Sequence, residues 1–556
     1  MTTTRSWRIG ASDVTLAQPP SAPQAPLGRH VHRSVMTVGL ASSPYDTAWL
    51  ASLRERAAPG VPRFPAAMRW LLDHQLPDGS WGGVIPYAHD RVLCTLAALA
   101  AFGPDAAASE RTATALRSGS RYLWQNAHRL AAEPVELVAF ELLLPALIAR
   151  ARRAGVDVPP HLDTYGPQRA EKLRLIPGDA LYSPHAPMIH SIEFLGDDVD
   201  VAALRAARGA NGSLGNSPAA TAFLLSHTPD SAAEAYLEAC LARRGDGSVA
   251  VAEPCETFEL LWAAYHLHLG GVPAAQLIGT EERAVLRDAL RQGGVSWSAG
   301  FLAPDADNTA VALVLLRDAG DPVDAGVLGR FDGPTGHFIS YPFERHASAG
   351  VNIHVLHALL CTPGYAGAPA AIERILAFLA EQQVGGLYWQ DKWHISPYYA
   401  TSHALQVLAH LPRTLAARAG PLIQGARDWL RHTQNADGSW GFYDVPTAEE
   451  TAYGVLGLSA GDGAGPNDDA SGRALGEDQA RCHAGAAVLR SQWYDRRNAD
   501  GAEALPALWI EKCLYAPPLI VRAAIEAALL VGENGTHPPA VPGRRRSCGV
   551  PTEESP

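Results

Sequence analysis

Asp305-Ala306-Asp307-Asn308-Thr309-Ala310 sets two carboxylates two residues apart, directly before an apolar run over residues 311–316. A carboxylic acid at the mouth of an apolar helix pair can protonate a carbon–carbon double bond, provided burial keeps it neutral near pH 7. An ordinary Asp titrates near ~3.9, so holding one protonated at neutral pH takes roughly 4 kcal/mol from its surroundings. Apolar walls raise the pKa, and a neighbouring carboxylate raises it further. Asp305 is that neighbour for Asp307, and such a pair titrates as a unit that can share one proton. The same residues suit an ordinary helix start, with Asp305 as N-cap and Asp307 in the first turn. The two readings are compatible.

The elements that must hold this acid are helical. Apolar stretches over 92–101, 140–151, 260–269, 371–381 and 519–530 read as buried helices, and alternating strand patterns are scarce. Gly-centred turns at Gly212, Gly247, Gly294, Gly336, Gly386 and Gly438 recur every 35 to 52 residues, one helix hairpin per unit. Hairpins of this kind bury their faces by stacking, either in a ring, as an α/α barrel, or in an open superhelix. Two turns nearly repeat: Gln75-Leu76-Pro77-Asp78-Gly79-Ser80-Trp81-Gly82 and Gln434-Asn435-Ala436-Asp437-Gly438-Ser439-Trp440-Gly441. Their Gly, Asp and Trp read as structural staples, and their separation suggests two related barrels.

The 556 residues are 47% hydrophobic with a net charge of −12, enough for a large core and without a basic block. That argues against a nucleic-acid groove and gives no support for docking on anionic membranes. Seven cysteines show no paired metal spacing and read as buried thiols of a cytoplasmic protein. No apolar run reaches the roughly 18 residues of a membrane span. Residues 1–28 lack a signal-peptide core, so no export is expected. They and residues 537–556 read as loose tails.

Taken in order, Ser43-Pro44-Tyr45-Asp46-Thr47-Ala48-Trp49, the two tryptophan turns, and residues 305–310 resemble the class II terpene cyclases. Residues 391–399, Glu449-Glu450-Thr451-Ala452-Tyr453 and Trp509-Ile510-Glu511-Lys512-Cys513-Leu514-Tyr515 extend the match. The branch is similar to bacterial diterpene cyclases of the copalyl diphosphate synthase kind, over roughly residues 43 to 525. This resemblance implies an all-α protein of two α/α barrels, called γ and β, with the active site between them and no class I α domain. On that basis we expect a partly disordered segment over 1–42 whose end joins the β barrel. The γ barrel is expected over 43–290, the β barrel over 291–535, and a disordered tail over 536–556.

The resemblance also assigns roles. Asp307 is the general acid, with Asp305 and Asn308 beside it; Asn308 stands where a third Asp is usual. Lys172 matches a lysine that binds diphosphate, and Lys512, which recurs in the family, is grouped with it as a candidate for the same group. Glu141 matches a glutamate linked to Mg2+, although the acidic cluster before it is reduced to Glu133 and Glu136. His190 matches a histidine that holds a catalytic water together with an asparagine; the best registration puts Val251 at the partner's place, which breaks the pair. Trp297, Phe301, Tyr341, Tyr388, Trp389, Tyr398 and Tyr399 form a pool of aromatic faces able to shield a carbocation.

The implied substrate is geranylgeranyl diphosphate, its far alkene protonated and two rings closed with the diphosphate retained. Farnesyl diphosphate giving a drimane-type product and a squalene–hopene-like reaction are the enzymatic alternatives; a prenyl-binding scaffold is the non-enzymatic one. Ionisation of the diphosphate is not expected. Asp197-Asp198-Val199-Asp200 is a near miss for the class I motif, and Asn467-Asp468-Asp469 lacks the right continuation. A class I terpene synthase or a phosphatase is expected downstream, and a homodimer is allowed.

Overall fold

A computed structural model describes residues 39–105, 109–298, 303–341, 344, 347–460, 469–491 and 505–534. Residues 1–38 of the segment expected over 1–42, the tail expected over 536–556, and Phe301 lie outside them. Helices dominate; strands among the described residues are confined to two short hairpins, β1 (Arg54–Glu55) with β2 (Ala58–Pro62), and β3 (Trp509–Ile510) with β4 (Leu514–Tyr515).

Two rings of inner helices form the core. In the first, α1 (Pro44–Ala51), α2 (Ala88–Phe102), α3 (Phe140–Arg153), the 3₁₀ segment Pro187–Asp198 and α4 (Pro218–His227) pack in succession, and α4 returns to α1. In the second, α5 (Glu256–Leu269), α6 (Ala306–Asp318), α7 (Ala349–Cys361), α8 (Pro397–Leu408), α9 (Ala448–Ser459) and α10 (Pro518–Asn534) close when α10 packs on α5. Outer helices such as Glu110–Asn126 and Arg413–Thr433 lie against them. The expected division at 290/291 therefore moves: α5 completes the second ring, and the break by packing falls between Arg244 and Glu256. The reason is closure, since an open ring would leave the apolar faces of α10 and α6 without a partner.

The inner helices start by a shared device. In six cases a turn packed against the helix start donates a backbone N–H to a threonine hydroxyl one to two helical turns inside it. Val249 donates to Thr47, Trp81 to Thr95, Leu214 to Thr221, Val295 to Thr309, Trp389 to Thr401 and Trp440 to Thr451, all at 2.9–3.2 Å. The tryptophans of these turns then run under an outer helix: the indoles of Trp81, Trp389 and Trp440 donate to the carbonyls of Leu71, Leu379 and Leu430. Burying one such ring contributes about 4 kcal/mol of apolar area. The turns are staples, and the chemistry begins where the helices they hold begin.

The β3–β4 hairpin fills the joint between the barrels. Trp509, Ile510 and Tyr515 face a cavity in the second barrel. Lys512 reaches the other way and donates to the His190 carbonyl, Glu193 and Ser217 of the first barrel. Asp90 of α2 accepts the Leu514 N–H, and Val138 donates to the Glu511 carbonyl. The described cysteines are free thiols. No helix among the described residues is long and apolar enough to cross a membrane.

Candidate active site

The start of α6 carries the site. Asp305 is the N-cap, extended, its Oδ1 accepting the Asn308 N–H at 2.7 Å. Asn308 Nδ2 donates to Asp305 Oδ2 at 2.8 Å, and Asn308 Oδ1 accepts the Trp262 indole N–H at 3.1 Å. Thr309 anchors this turn to Val295 at 2.9 Å. Gly294, with φ +134°, permits that approach, because a Cβ there would sit 2.9 Å from the Thr309 hydroxyl. Asn308, the departure from the usual third carboxylate, thus acts as a two-way bridge from Asp305 to Trp262.

Asp305 is 4% exposed. Burial pushes its carboxyl up to about 8; the Asn308 N–H groups pull it down, and the neighbouring Asp307 pushes it up. Among the described residues no Lys or Arg forms an ion pair with either carboxyl. Asp307 lines the cavity, and its Oδ1 lies 2.6 Å from His354 Nδ1 on α7. His354 Nε2 lies 2.9 Å from His403 Nδ1 on α8, and His403 Nε2 lies 3.2 Å from His266 Nε2 on α5. Asp307 also sits in the first turn of α6, where the helix end favours the carboxylate left after a proton departs.

The cavity walls are aromatic. Phe258, Trp262, Trp297, Tyr341, Trp393, Tyr399, Trp509 and Tyr515 surround the acid, with Ser340. Tyr399 and Trp509 meet at 5.2 Å, and Phe258 stacks on Trp297 at 5.7 Å. Faces so disposed stabilise a cation without offering a nucleophile. Of the aromatic pool named from the sequence, Trp297, Tyr341 and Tyr399 line the cavity. Trp389 is a staple, and Tyr388 and Tyr398 pack on Trp429 of an outer helix.

The remaining expected site residues fall elsewhere. His190 lies one layer behind the wall: its ring is 5.8 Å from Trp297, its Nδ1 is 2.7 Å from the Gly215 carbonyl, and its Nε2 is 3.4 Å from Glu511. Val251, at the place of the asparagine partner, is fully buried. Lys512 was expected near a diphosphate, but its ammonium is fully buried, with Asp46 at 3.7 Å as a further carboxylate neighbour. Burial alone would lower its pKa; Glu193 and Asp46 outweigh that and raise it. Its three N–H bonds are taken by the contacts given above, so it works as a tie between barrels rather than as a hand for phosphate.

Lys172 and Glu141 stand at a corner of the first barrel, paired with each other, the lysine 37% exposed at its side chain. Glu136 nearby is pushed up by burial and by Glu141. These carboxylates do not converge into an all-protein cage. The cluster of possible ligands among the described residues is Asp90, Cys94 and Cys513, fully buried and suited to softer metals than Mg2+. Asp90 there already accepts the N–H groups of Gly83 and Leu514.

Sequence reasoning missed His354, His403 and His266, and with them Trp262 and Trp509. The one signal available was a histidine inside each of three apolar helical runs, a costly residue to bury without a purpose.

Residues 344–469 match the family Squalene-hopene cyclase C-terminal domain. The chain is 30% identical to the type B diterpene cyclase of Mycobacterium tuberculosis, over 89% of this chain and 97% of that one. It is 32% identical to the copalyl diphosphate synthase of Streptomyces cyslabdanicus, over 88% and 91%. Its fold is similar to that of ent-copalyl diphosphate synthase from Streptomyces platensis, with a TM-score of 0.70 and 27% identity over 90% and 98% of the two chains. With an acid at a helix start, an aromatic cavity and two helical barrels in hand, these similarities place the chain in the class II diterpene cyclase family, isomerases related to the bacterial copalyl diphosphate synthases.

Proposed function

We propose that this protein takes geranylgeranyl diphosphate, protonates its distal alkene from Asp307, and closes two rings with the diphosphate retained. The observation that carries this reading is Asp307 itself: it faces an aromatic cavity, is hydrogen-bonded to a histidine, and is not neutralised by a Lys or Arg among the described residues. An acid so placed can hand a proton to an alkene held in the cavity. Asp305 supports it as a second buried carboxyl, and Asn308 holds Asp305 and Trp262 in register. As rings close, positive charge passes along the faces of Tyr399, Trp509 and Trp262.

The diphosphate goes to the Lys172 corner. There Lys172 exchanges Glu141 for phosphate oxygens, leaving Glu141 free to bind. Mg2+, when bound, would be held by Glu141 together with the substrate's own phosphates, the usual manner of this ion, and would neutralise their charge. His190, a layer behind Trp297, orients the Glu511 end of the hairpin rather than touching the substrate. The product keeps an allylic diphosphate, so its consumer is an enzyme that ionises or hydrolyses that group.

Incubation with geranylgeranyl diphosphate, farnesyl diphosphate and squalene in parallel, followed by dephosphorylation and product identification by mass spectrometry and NMR, tests the reading. It expects a bicyclic C20 alcohol from the first. Turnover of squalene alone would overturn it, and a C15 bicycle formed faster than the C20 one would reassign the substrate.

A further inference from the structure

The imidazole chain behind Asp307 can be read in one direction. His266 Nδ1 lies 2.8 Å from the Trp262 carbonyl, and a carbonyl oxygen only accepts, so Nδ1 carries the hydrogen. A neutral His266 then has a bare Nε2, to which His403 Nε2 must donate across 3.2 Å. That leaves His403 Nδ1 bare, so His354 Nε2 must donate to it across 2.9 Å. Only Nδ1 of His354 is left to gain or lose a proton, and that atom faces Asp307 Oδ1 at 2.6 Å. All three rings are buried at 1% exposure or less. Burial keeps the outer two neutral: it pushes His266 down to about 3 and His403 well below the ordinary value.

We propose, on the cyclase reading above, that His403 and His266 are positioning residues: starting from the Trp262 carbonyl, they lock the tautomer of His354 so that its Nδ1 alone shares protons with Asp307. A 2.6 Å N···O contact holding no proton would set two lone pairs against each other. One proton therefore occupies that contact before and after the reaction, and the proton delivered to the substrate is a second one, on Asp307 Oδ2. In the loaded state His354 is an imidazolium donating to Oδ1 and Asp307 is a carboxylic acid. The Oδ2–H bond breaks with its electron pair kept on oxygen, and the alkene's π pair forms the new C–H bond. A carbocation results, beside a carboxylate–imidazolium pair. Net charge is +1 on both sides, and the pair left behind is a strong charge-assisted bond. The proton shed by the final cation, or one from water, reloads Oδ2.

The groups facing the chain from the other elements are polar but mostly neutral. Tyr265 is 2.9 Å from His357, Tyr399 and Tyr453 pack on His403, and His394 pairs with Glu449 at 3.3 Å. Burial holds the three phenols well above their ordinary value and His357 well below its own. Among the described residues that face the chain, the His394–Glu449 pair can bring charge, so Glu449→Gln serves as a control for pH effects that originate there.

The test is NMR of the full chain labelled with 15N-histidine, without substrate, with assignments from His266→Gln and His403→Gln. The lock requires His266 as the Nδ1–H tautomer, His403 as the Nε2–H tautomer, and a doubly protonated His354 at pH 7. In turnover, His266→Leu should lower kcat by about 10²-fold with KM unchanged and should displace the pH profile. His266→Gln should restore most of it, because an amide can accept from His403 and donate to the Trp262 carbonyl. His403 found as the Nδ1–H tautomer, or a His266→Leu enzyme with the parent's kcat and pH profile, overturns the proposal. If His266→Leu does not fold, the tautomers of the parent protein decide. If the tautomers are as required but no prenyl diphosphate is cyclised, the lock stands and the cyclase reading falls.

Discussion

The starts of α1 and α6 are the same piece of architecture put to opposite uses. Both are held by a threonine that accepts from a turn packed against it, Thr47 from Val249, which comes later in the chain, and Thr309 from Val295, just before its helix. Both are capped by the residue four before it, Ser43 bonding to the Asp46 N–H and Asp305 to the Asn308 N–H. Counted from the threonine, Tyr45 corresponds to Asp307 and Asp46 to Asn308. In the first barrel the carboxylate, Asp46, points at Ser43 and Ala219 and has Lys512 close by. Burial pushes Asp46 up to about 6, and Lys512 pulls it back. In the second barrel the carboxyls stand one position either side of Ala306, face aromatic rings, and have no Lys or Arg beside them among the described residues; Asp307 has His354 instead. A carboxylate with a lysine beside it is a structural tie; a carboxyl without one can remain an acid.

Removing the acid should have the largest effect. Asp307→Asn keeps the shape of the helix start but has no proton to give, and cyclisation should fall by at least ~10³-fold with the melting curve unchanged. Ordinary turnover in this variant would break the comparison at its centre.

Next comes the tie. Lys512→Met leaves Asp46 and Glu193 buried without their cation and should destabilise the protein by about 3–5 kcal/mol in denaturant unfolding. A stable variant with weakened substrate binding would instead return Lys512 to the diphosphate.

The pH dependence sharpens the contrast. Asp305 has a folded pKa raised to about 8, against an unfolded value near ~3.9. Its contribution to stability is present below the unfolded value and is lost as pH rises through about 8. Asp46 is raised in the same direction but only to about 6, so its loss is complete earlier. The difference in melting temperature between the parent protein and Asp305→Asn, followed from pH 4 to 9, should therefore change steadily between about pH 4 and 8 and level off above about 8, Asp46 being common to both. A difference independent of pH would mean that Asp305 is ionised throughout. Turnover should decline in the same upper range.

Asn308→Asp should matter least. The new carboxylate still accepts from the Trp262 indole but loses the N–H given to Asp305, and activity should stay within about tenfold of the parent. Complete loss would mean that the Asn308 amide is itself part of the acid.

The helix start at Asp305 was legible in the sequence because capping, a carboxylate pair and an apolar run occur within a dozen consecutive residues. The spaced glycine turns showed repeated helix hairpins and left a barrel and an open superhelix both open; the paired tryptophan turns suggested two related units, and the resemblance to class II terpene cyclases implied the two barrels. The histidine chain was not, since its members are separated by 47, 49 and 137 residues along successive contacts and meet only when the second ring closes. For the same reason α5 was placed in the wrong barrel: its partner in closure, α10, comes more than two hundred residues later. Lys512 misled because a lysine in a short motif says nothing about the carboxylates that Asp46 and Glu193 bring from far away. Local signals carry turns and caps; ring closure carries the site.

The most direct test is to run the reaction with geranylgeranyl diphosphate in D2O. Protonation by an exchangeable acid predicts a bicyclic product carrying one deuterium on the former distal alkene carbon, with the diphosphate intact, and no such product from Asp307→Asn. Release of inorganic diphosphate, or a cyclic product without deuterium, would contradict an aspartic acid as the source of the initiating proton.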